Sequence, residues 1–383
     1  MNSKNEKRFP LIKSQLDEIV KKFPTPFIIY DEKAIRDNVR RFNKAFSVMP
    51  SFKEYFAVKA LPNPHILQIL KEEGCGTDCS SLPELILSKA VGLKDSEVMF
   101  TSNDTPSSEY EYANKIKAII NLDDITHIDF LKDALGSMPE LLCFRYNPGP
   151  LKEGNAIIGK PEEAKYGLTR EQIFLAFEKV KKLGVKRFGL HTMVASNELS
   201  NDYFVETATI LFELAVELKE KLDIKLEFVN ISGGMGIPYK LDQQPVDYEY
   251  IAQNIKKQYD KIIVPAGLDP LSLFTECARV ITGPYGYLVS TAIHEKHIYR
   301  EYIGLDSFMA DFMRPGVYGS WQYMSVVGKE NAPCNHVYDV TGSLCENCDK
   351  FAVQRELPKI DIGDYVVLHD AGAHGRAMGF NYN

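Results

Sequence analysis

Lys59 ends the apolar stretch Tyr55-Phe-Ala-Val-Lys59-Ala60, immediately before the breaker Leu61-Pro-Asn-Pro64. An ammonium group at that position must reach solvent or a partner, because leaving it buried and unpaired costs several kcal/mol or depresses its pKa by about 3–5 units. A lysine so depressed is an amine nucleophile, able to condense with an aldehyde. Other reactive side-chain types recur at or just after apolar runs: Asp78, Arg145, His191, the run Ser232-Gly-Gly-Met-Gly236, and Glu276. Closely spaced glycines let backbone N–H groups converge on an anion with no side chain in the way. Each feature alone has a plainer reading: a lysine snorkelling at a sheet rim, a turn aspartate, a surface ion pair, a core histidine, a tight turn. Their shared placement at strand ends is what points to a site.

The elements that must carry these residues alternate. A helical period runs over Glu32–Phe46, with Ile35, Val39, Phe42 and Phe46 on one face. Strand-like runs follow at 54–58, 98–101, 118–122, 142–146, 189–192 and 226–231, with helical segments such as 171–183 and 204–222 between them. Such alternation implies parallel βαβ units, and its repetition implies a (β/α)8 TIM-type barrel, whose chemistry sits on the loops after the strands. No GxGxxG follows the first strand, which argues against a dinucleotide-binding sheet. Beyond about residue 285 the texture becomes short, β-branched and alternating, as in 289–294, 297–303, 336–340 and 364–368. This predicts an all-β, sandwich- or barrel-like C-terminal domain. The expected division is a barrel over residues 32–285 and a β domain built from 1–31 and 286–383.

With 383 residues, a net charge of -7, 45% hydrophobic and 25% charged residues, the chain has ordinary globular composition. A nucleic-acid partner would call for clustered basic residues, so none is expected. The first eight residues are charged and lead into no apolar stretch, and no run of about 18 apolar residues exists to span a membrane. Seven cysteines suit a reducing cytoplasm better than a disulfide framework.

Several motifs occur together in a fixed order: Tyr55-Phe-Ala-Val-Lys59-Ala60, Gly74-Cys-Gly-Thr-Asp78, Lys165-Tyr-Gly-Leu168, the glycine run, Glu276-Cys-Ala-Arg279, Arg314-Pro-Gly-Val-Tyr318-Gly, Cys345-Glu346 and Asn381-Tyr-Asn383. In that order the chain resembles, over nearly its whole length, the fold-type III, alanine racemase-like pyridoxal-phosphate decarboxylases, and among them the diaminopimelate decarboxylase family. The resemblance implies decarboxylation of meso-2,6-diaminopimelate to L-lysine and CO2, in lysine biosynthesis, with pyridoxal 5'-phosphate as cofactor and no metal. It implies that Lys59 holds the cofactor covalently, that His191 stacks on its ring, and that Glu276 pairs with the ring nitrogen. An anion there favours the protonated ring, the better electron sink. Asp78, Arg145, Ser196, Gly233, Gly234, Gly236, Ala278 and His374 would complete the cofactor site. Arg279, Arg314 and Tyr318 would grip the distal carboxylate, for which planar guanidinium forks are suited. Cys345 would protonate the carbanion and Glu346 would read the distal ammonium, both in the neighbouring subunit's site, which implies a homodimer with shared active sites.

The chain departs from that family at three places. Cys277-Ala278 stands for Pro-Gly, His191-Thr-Met-Val-Ala-Ser196 for a compact His-x-Gly-Ser, and His374 for a tyrosine near the phosphate. It also stops at Asn383, where relatives continue with a further strand and helix. Ornithine, lysine or arginine decarboxylation is the alternative within the fold family, although Arg314-Pro315 stands where those enzymes carry an acidic residue. More remote alternatives are a zinc site pairing Cys345-x-x-Cys348 with Cys75-x-x-x-Cys79, and a pyridoxal-phosphate carrier without catalysis.

Overall fold

The computed structural model describes residues 7–152 and 159–383. The chain divides into two compact units, one of Arg36–Gly236 and Pro245–Ala278, the other of Met1–Ile35, Ile237–Gln244 and Arg279–Asn383, of which residues 1–6 lie outside the described set. Strand β1 (Phe27–Tyr30) belongs to the second unit. Strands β2 (Phe52–Ala57), β3 (Gly76–Cys79), β4 (Val98–Thr101), β5 (Ile119–Leu122), β6 (Leu141–Arg145), β7 (Arg187–His191), β8 (Phe228–Asn230) and β9 (Ser272–Thr275) pair in parallel and close into a barrel.

Period-two alternation along these strands builds the barrel interior in layers. Tyr55, Met99, Ile119, Cys143 and Phe228 form a buried cluster with Leu141 and Phe274 packed on it. Where two neighbours are glycine, the large rings decide it. A Cβ on Gly76 would sit 2.7 Å from the Tyr55 ring, and one on Gly189 2.1 Å from the Phe228 ring. Two residues further along each strand, on the same inward pleat, come Asp78, Thr101, Asn121, Arg145, His191, Asn230 and Glu276. An apolar floor under a polar layer therefore follows from strand parity.

The six strands expected in this region are present, 98–101 with the expected ends and the other five with shifted ones. The first begins at Phe52 and stops at Ala57, so Lys59 sits in a short 3-10 turn, Val58–Ala60. The chain then enters the helix Pro64–Glu72, capped by the Asn63 side chain, which accepts from the N–H groups of His65 and Ile66. The strand Gly76–Cys79 was not anticipated, because Gly-Thr-Asp-Cys has little strand propensity; pairing with β2 and β4 on either side sets its conformation.

In the second unit, β10 (Gly286–His297), β11 (Glu301–Leu305), β12 (Met324–Val326), β13 (His336–Thr341), β14 (Lys350–Leu357) and β15 (Tyr365–Leu368) form one sheet ordered β12-β15-β10-β11-β13-β14, with β1 paired to β10. Alternate residues bury opposite faces. Leu288, Val366 and Leu368 join one core, while Tyr287, Val289 and Val367 join another that includes Leu16 of the helix Lys13–Val20. No helix among the described residues is long and apolar enough to cross a membrane.

Candidate active site

The polar layer of the barrel carries one well-supported anion. Glu276 is buried, and its Oε2 accepts from His191 Nε2 at 3.1 Å and Ser232 Oγ at 2.6 Å, while Oε1 accepts from Asn230 Nδ2 at 2.7 Å. Burial opposes its charge, yet His191, Ser232 and Lys59 together hold its carboxyl down to about 2. Asp78 behaves oppositely. Burial and the Glu276 charge push it well above the usual carboxylate range, against the pull of Lys59 and Thr101. Lys59 Nζ lies 3.9 Å from Asp78 Oδ2 and 3.3 Å from Ser80 Oγ, with 54% of its side chain exposed. The ammonium is thus not an isolated buried charge; it faces a carboxyl and remains accessible.

Arg145, level with His191 across β6 and β7, is buried against Asp123 at 3.3 Å and lies 4.3 Å from the Tyr166 ring. Burial lowers its pKa, with Asp123 pulling the other way. Gly233, Gly234 and Gly236 answer to close backbone approach. Their Cβ atoms would lie 2.5 Å from Glu276 O, 2.6 Å from Ala195 O and 2.7 Å from Asn197 C, and Gly234 has φ +94°. Gly236 N–H donates to Glu198 O and Glu198 N–H to Gly234 O, so the loops after β7 and β8 are tied together. Half-buried Ser196 belongs to that tied segment, and Ala278 is buried just beyond Glu276.

The second unit holds a separate cationic cluster. Arg279 and Arg314 are each 6% exposed. Arg279 Nη1 donates to Tyr239 Oη at 2.6 Å, and the Arg314 guanidinium lies 5.6 Å from the Tyr239 ring and 6.0 Å from that of Tyr318. No ion pair engages Arg314 among the described residues, and its buried Nε has no hydrogen-bond partner. Burial and the Arg279 charge lower its pKa, against Tyr239 and Tyr318. Tyr239 escaped sequence reasoning, although Ile237-Pro-Tyr239 directly follows the glycine run. Asn230 and Ser232 also went unassigned; strand parity from Phe228 would have found Asn230.

Cys345 and Glu346 are exposed on a turn organised by the buried Asp349, which accepts from the N–H groups of Leu344 at 2.8 Å and Met309 at 2.6 Å. Cys345 N–H donates to Asn383 Oδ1 at 3.1 Å, and a hydrogen bond with Glu346 raises the pKa of Tyr382. His374 is half-buried with a left-handed backbone, φ +51°. Cys75 and Cys79 are buried in the barrel unit, whereas Cys345 and Cys348 are exposed, and no group of three or more His, Cys, Asp or Glu among the described residues could hold a metal ion.

An accessible lysine amine at the mouth of a parallel barrel, close to a buried carboxylate that stays charged, is the equipment of a protein that works through an aldehyde cofactor with a basic ring nitrogen. Residues 32–283 match the family described as pyridoxal-dependent decarboxylase, pyridoxal binding domain, and the chain belongs to that family. It is a pyridoxal-phosphate-dependent decarboxylase. Protein TabA of Pseudomonas amygdali pv. tabaci is 39% identical, covering 98% of this chain and 86% of its own. The diaminopimelate decarboxylase of Methanothermobacter thermautotrophicus is 30% identical over 96% and 86%. The crystal structure of diaminopimelate decarboxylase from M. jannaschii in complex with L-lysine superposes with a TM-score of 0.88 at 28% identity, covering 96% and 86%. The residues present fit the cofactor. Beside the Glu276 anion, His191 Nδ1 and Asp78 Oδ1 are buried polar atoms with no protein partner.

Proposed function

We propose that this chain decarboxylates meso-2,6-diaminopimelate to L-lysine and CO2, as a step of lysine biosynthesis in the cytoplasm. The observation that carries this reading is Arg314: a buried guanidinium with no ion pair among the described residues and an unpartnered Nε asks for an anion from outside the protein. A substrate with a distal carboxylate supplies one; ornithine, lysine and arginine do not. Arg279 would share that carboxylate, with Tyr239 and Tyr318 fixing the planes of the two guanidinium groups.

Bound pyridoxal phosphate supplies the electron sink for the carbanion left by CO2. Lys59 would hold the cofactor covalently and, once displaced by the substrate, would be a free amine beside it. Glu276 keeps a fixed negative charge for the ring nitrogen, and His191, Ser232 and Asn230 keep that charge in place. Gly233, Gly234, Gly236, Ala278, Ser196 and His374 are assigned to the phosphate, while Asp78 and Arg145 complete the cofactor site. Cys345 delivers the proton that replaces CO2, and Glu346 binds the distal ammonium. Their exposure on the protomer supports service in a partner subunit's site, hence a homodimer. The greater identity to TabA than to the diaminopimelate decarboxylases keeps open, as second reading, decarboxylation of another amino acid, of the ornithine, lysine or arginine type, in the same fold family. Turnover of purified holoenzyme on diaminopimelate, ornithine, lysine and arginine is the test. Equal or better turnover of ornithine or lysine would sink the proposal.

A further inference from the structure

Glu54 is fully buried in the barrel wall and has no part in the chemistry described above. It stands beside Thr275 in the β2–β9 register, and the Thr275 hydroxyl donates to its Oε2. Its Oε1 has no partner. Strand parity puts Glu54 and Thr275 on the outer pleat of the barrel, while Tyr55, Phe274 and Glu276 take the inner one. The Cys277 backbone N–H is also directed to the Glu54 carboxyl, where it tempers the effect of burial. One side chain on β2 thus hydrogen-bonds the residue immediately before Glu276 and interacts with the backbone N–H of the residue immediately after it.

We propose that Glu54 is a positioning residue for Glu276, clamping its two chain neighbours from the adjacent strand so that the Glu276 carboxylate keeps both its direction and its charge. This rests on the reading of Glu276 as partner of the cofactor's ring nitrogen. The groups around the clamp are suited to that task. Burial, together with the charges of Glu276 and Asp78, pushes the Glu54 carboxyl well above the usual range. Burial likewise raises the thiols of Cys75 and Cys277, and the Glu54 carboxyl adds to that rise. A carboxyl raised in this way hydrogen-bonds to Thr275 with less tendency to become a second buried anion beside Glu276, which would cost several kcal/mol. Threonine at 275 is the matching choice, since its hydroxyl reaches the carboxyl and its branched Cβ suits the strand.

The test uses holoprotein reconstituted with pyridoxal phosphate, with circular dichroism to confirm folding. Two quantities are read: the cofactor dissociation constant, and the pH profile of its visible absorption band. Glu54→Leu is expected to weaken cofactor binding about tenfold, the scale of one buried hydrogen-bonding group left unpaired. It should also move the band's pH profile in the same direction as Glu276→Gln. Glu54→Gln, neutral and of the same shape, should stay within about threefold of wild type, since it keeps an acceptor for Thr275. A folded Glu54→Leu protein with wild-type affinity and band overturns the clamp, and so does Glu54→Gln as impaired as Glu54→Leu. Should Glu54→Leu not fold, Thr275→Val, which deletes only the hydroxyl, decides in its place. A shift towards Glu276→Gln sustains the clamp, and an unchanged band and affinity overturn it. If Glu276→Gln itself leaves the band unmoved, the reading of Glu276 fails and takes the clamp with it. If Glu276→Gln moves the band and Glu54→Leu does not, only the clamp fails.

Discussion

Replacing Arg314 by Met should have opposite effects on stability and on activity. The guanidinium is 6% exposed, without an ion pair among the described residues, and held down in pKa by burial and by Arg279. Exchanging such a charge for an apolar side chain of similar length relieves desolvation and like-charge repulsion, worth about 1–4 kcal/mol. Against this stand two contacts with the faces of Tyr239 and Tyr318, about 0.5–1 kcal/mol each. The net expectation is a gain of about 1 kcal/mol, seen as a rise in unfolding temperature of roughly 1 °C for the substrate-free holoprotein. Activity should move the other way. Losing one buried charge-assisted contact to a distal carboxylate costs about 2–5 kcal/mol, or roughly 30- to several-thousand-fold in kcat/KM on diaminopimelate. Amino acids without a distal carboxylate should lose almost nothing. The assay pairs thermal unfolding with kcat/KM on diaminopimelate and on lysine or ornithine. A variant that melts lower and loses activity equally on all substrates would show that Arg314 is a packing residue.

The holoprotein should be yellow, and borohydride should fix the cofactor to Lys59; Lys59→Ala should not be labelled, and label on another lysine refutes the assignment. Lys59→Ala and Cys345→Ala proteins should each be inactive, and after subunit exchange activity should recover to about a quarter of wild type, because half the dimers are hybrids with one intact site in two; no recovery despite exchange puts Cys345 outside a shared site. His369 is buried between Tyr287 and Tyr323, bonded through Nε2 to Ser325, with its pKa lowered to about 3 by burial and by Lys7. The unfolded chain therefore binds a proton there that the folded one refuses, so this residue removes stability as pH falls below the ordinary histidine value of about 6.5, by about 1.4 kcal/mol per unit. Asp370, raised to about 6 mainly by burial, has the opposite slope over its own range, so the comparison is with His369→Phe, which keeps Asp370. The variant should gain on wild type steadily between pH 6 and pH 4 in denaturant titrations, and a pH-independent difference refutes the assignment.

Much of the catalytic barrel was legible because each strand writes its inner face with period two. The residues that stand out chemically, Asp78, Arg145, His191 and Glu276, share a pleat with the apolar floor and come two positions after it. The Gly76–Cys79 strand was hidden, since its identity lies in pairing with β2 and β4 rather than in its own four residues. Glu54 was hidden for a different reason. It sits on the outer pleat, where a glutamate in an apolar run reads as strand texture, and its role depends on Thr275 more than 200 residues away. Tyr239 needed the spatial meeting of Arg279 and Arg314, which follow it by 40 and 75 positions in the sequence.

Two other buried carboxyls of the barrel feel the charge of Glu276, Glu54 on the outer pleat and Asp78 on the inner one, and charging all three would be prohibitive. Glu54 and Asp78 are each raised by burial and by the charge on Glu276, and only Glu276 goes down. The difference lies in donors. Glu276 accepts from a histidine, a serine and an asparagine, whereas Asp78 Oδ1 and Glu54 Oε1 accept from no protein group. At equal burial, hydrogen bonds to the charged form decide which acid ionises. The sequence assigns those donors by strand parity. Asn230 closes β8, the neighbour of β9, His191 closes β7 one strand further, and Ser232 turns back from the glycine loop with a left-handed φ of +58°. The position proposed to stay negative for a ring nitrogen is thus the one supplied with donors by β7, β8 and the glycine loop. Removing a donor should therefore redistribute the charge towards Asp78, beside Lys59, rather than merely weaken a contact.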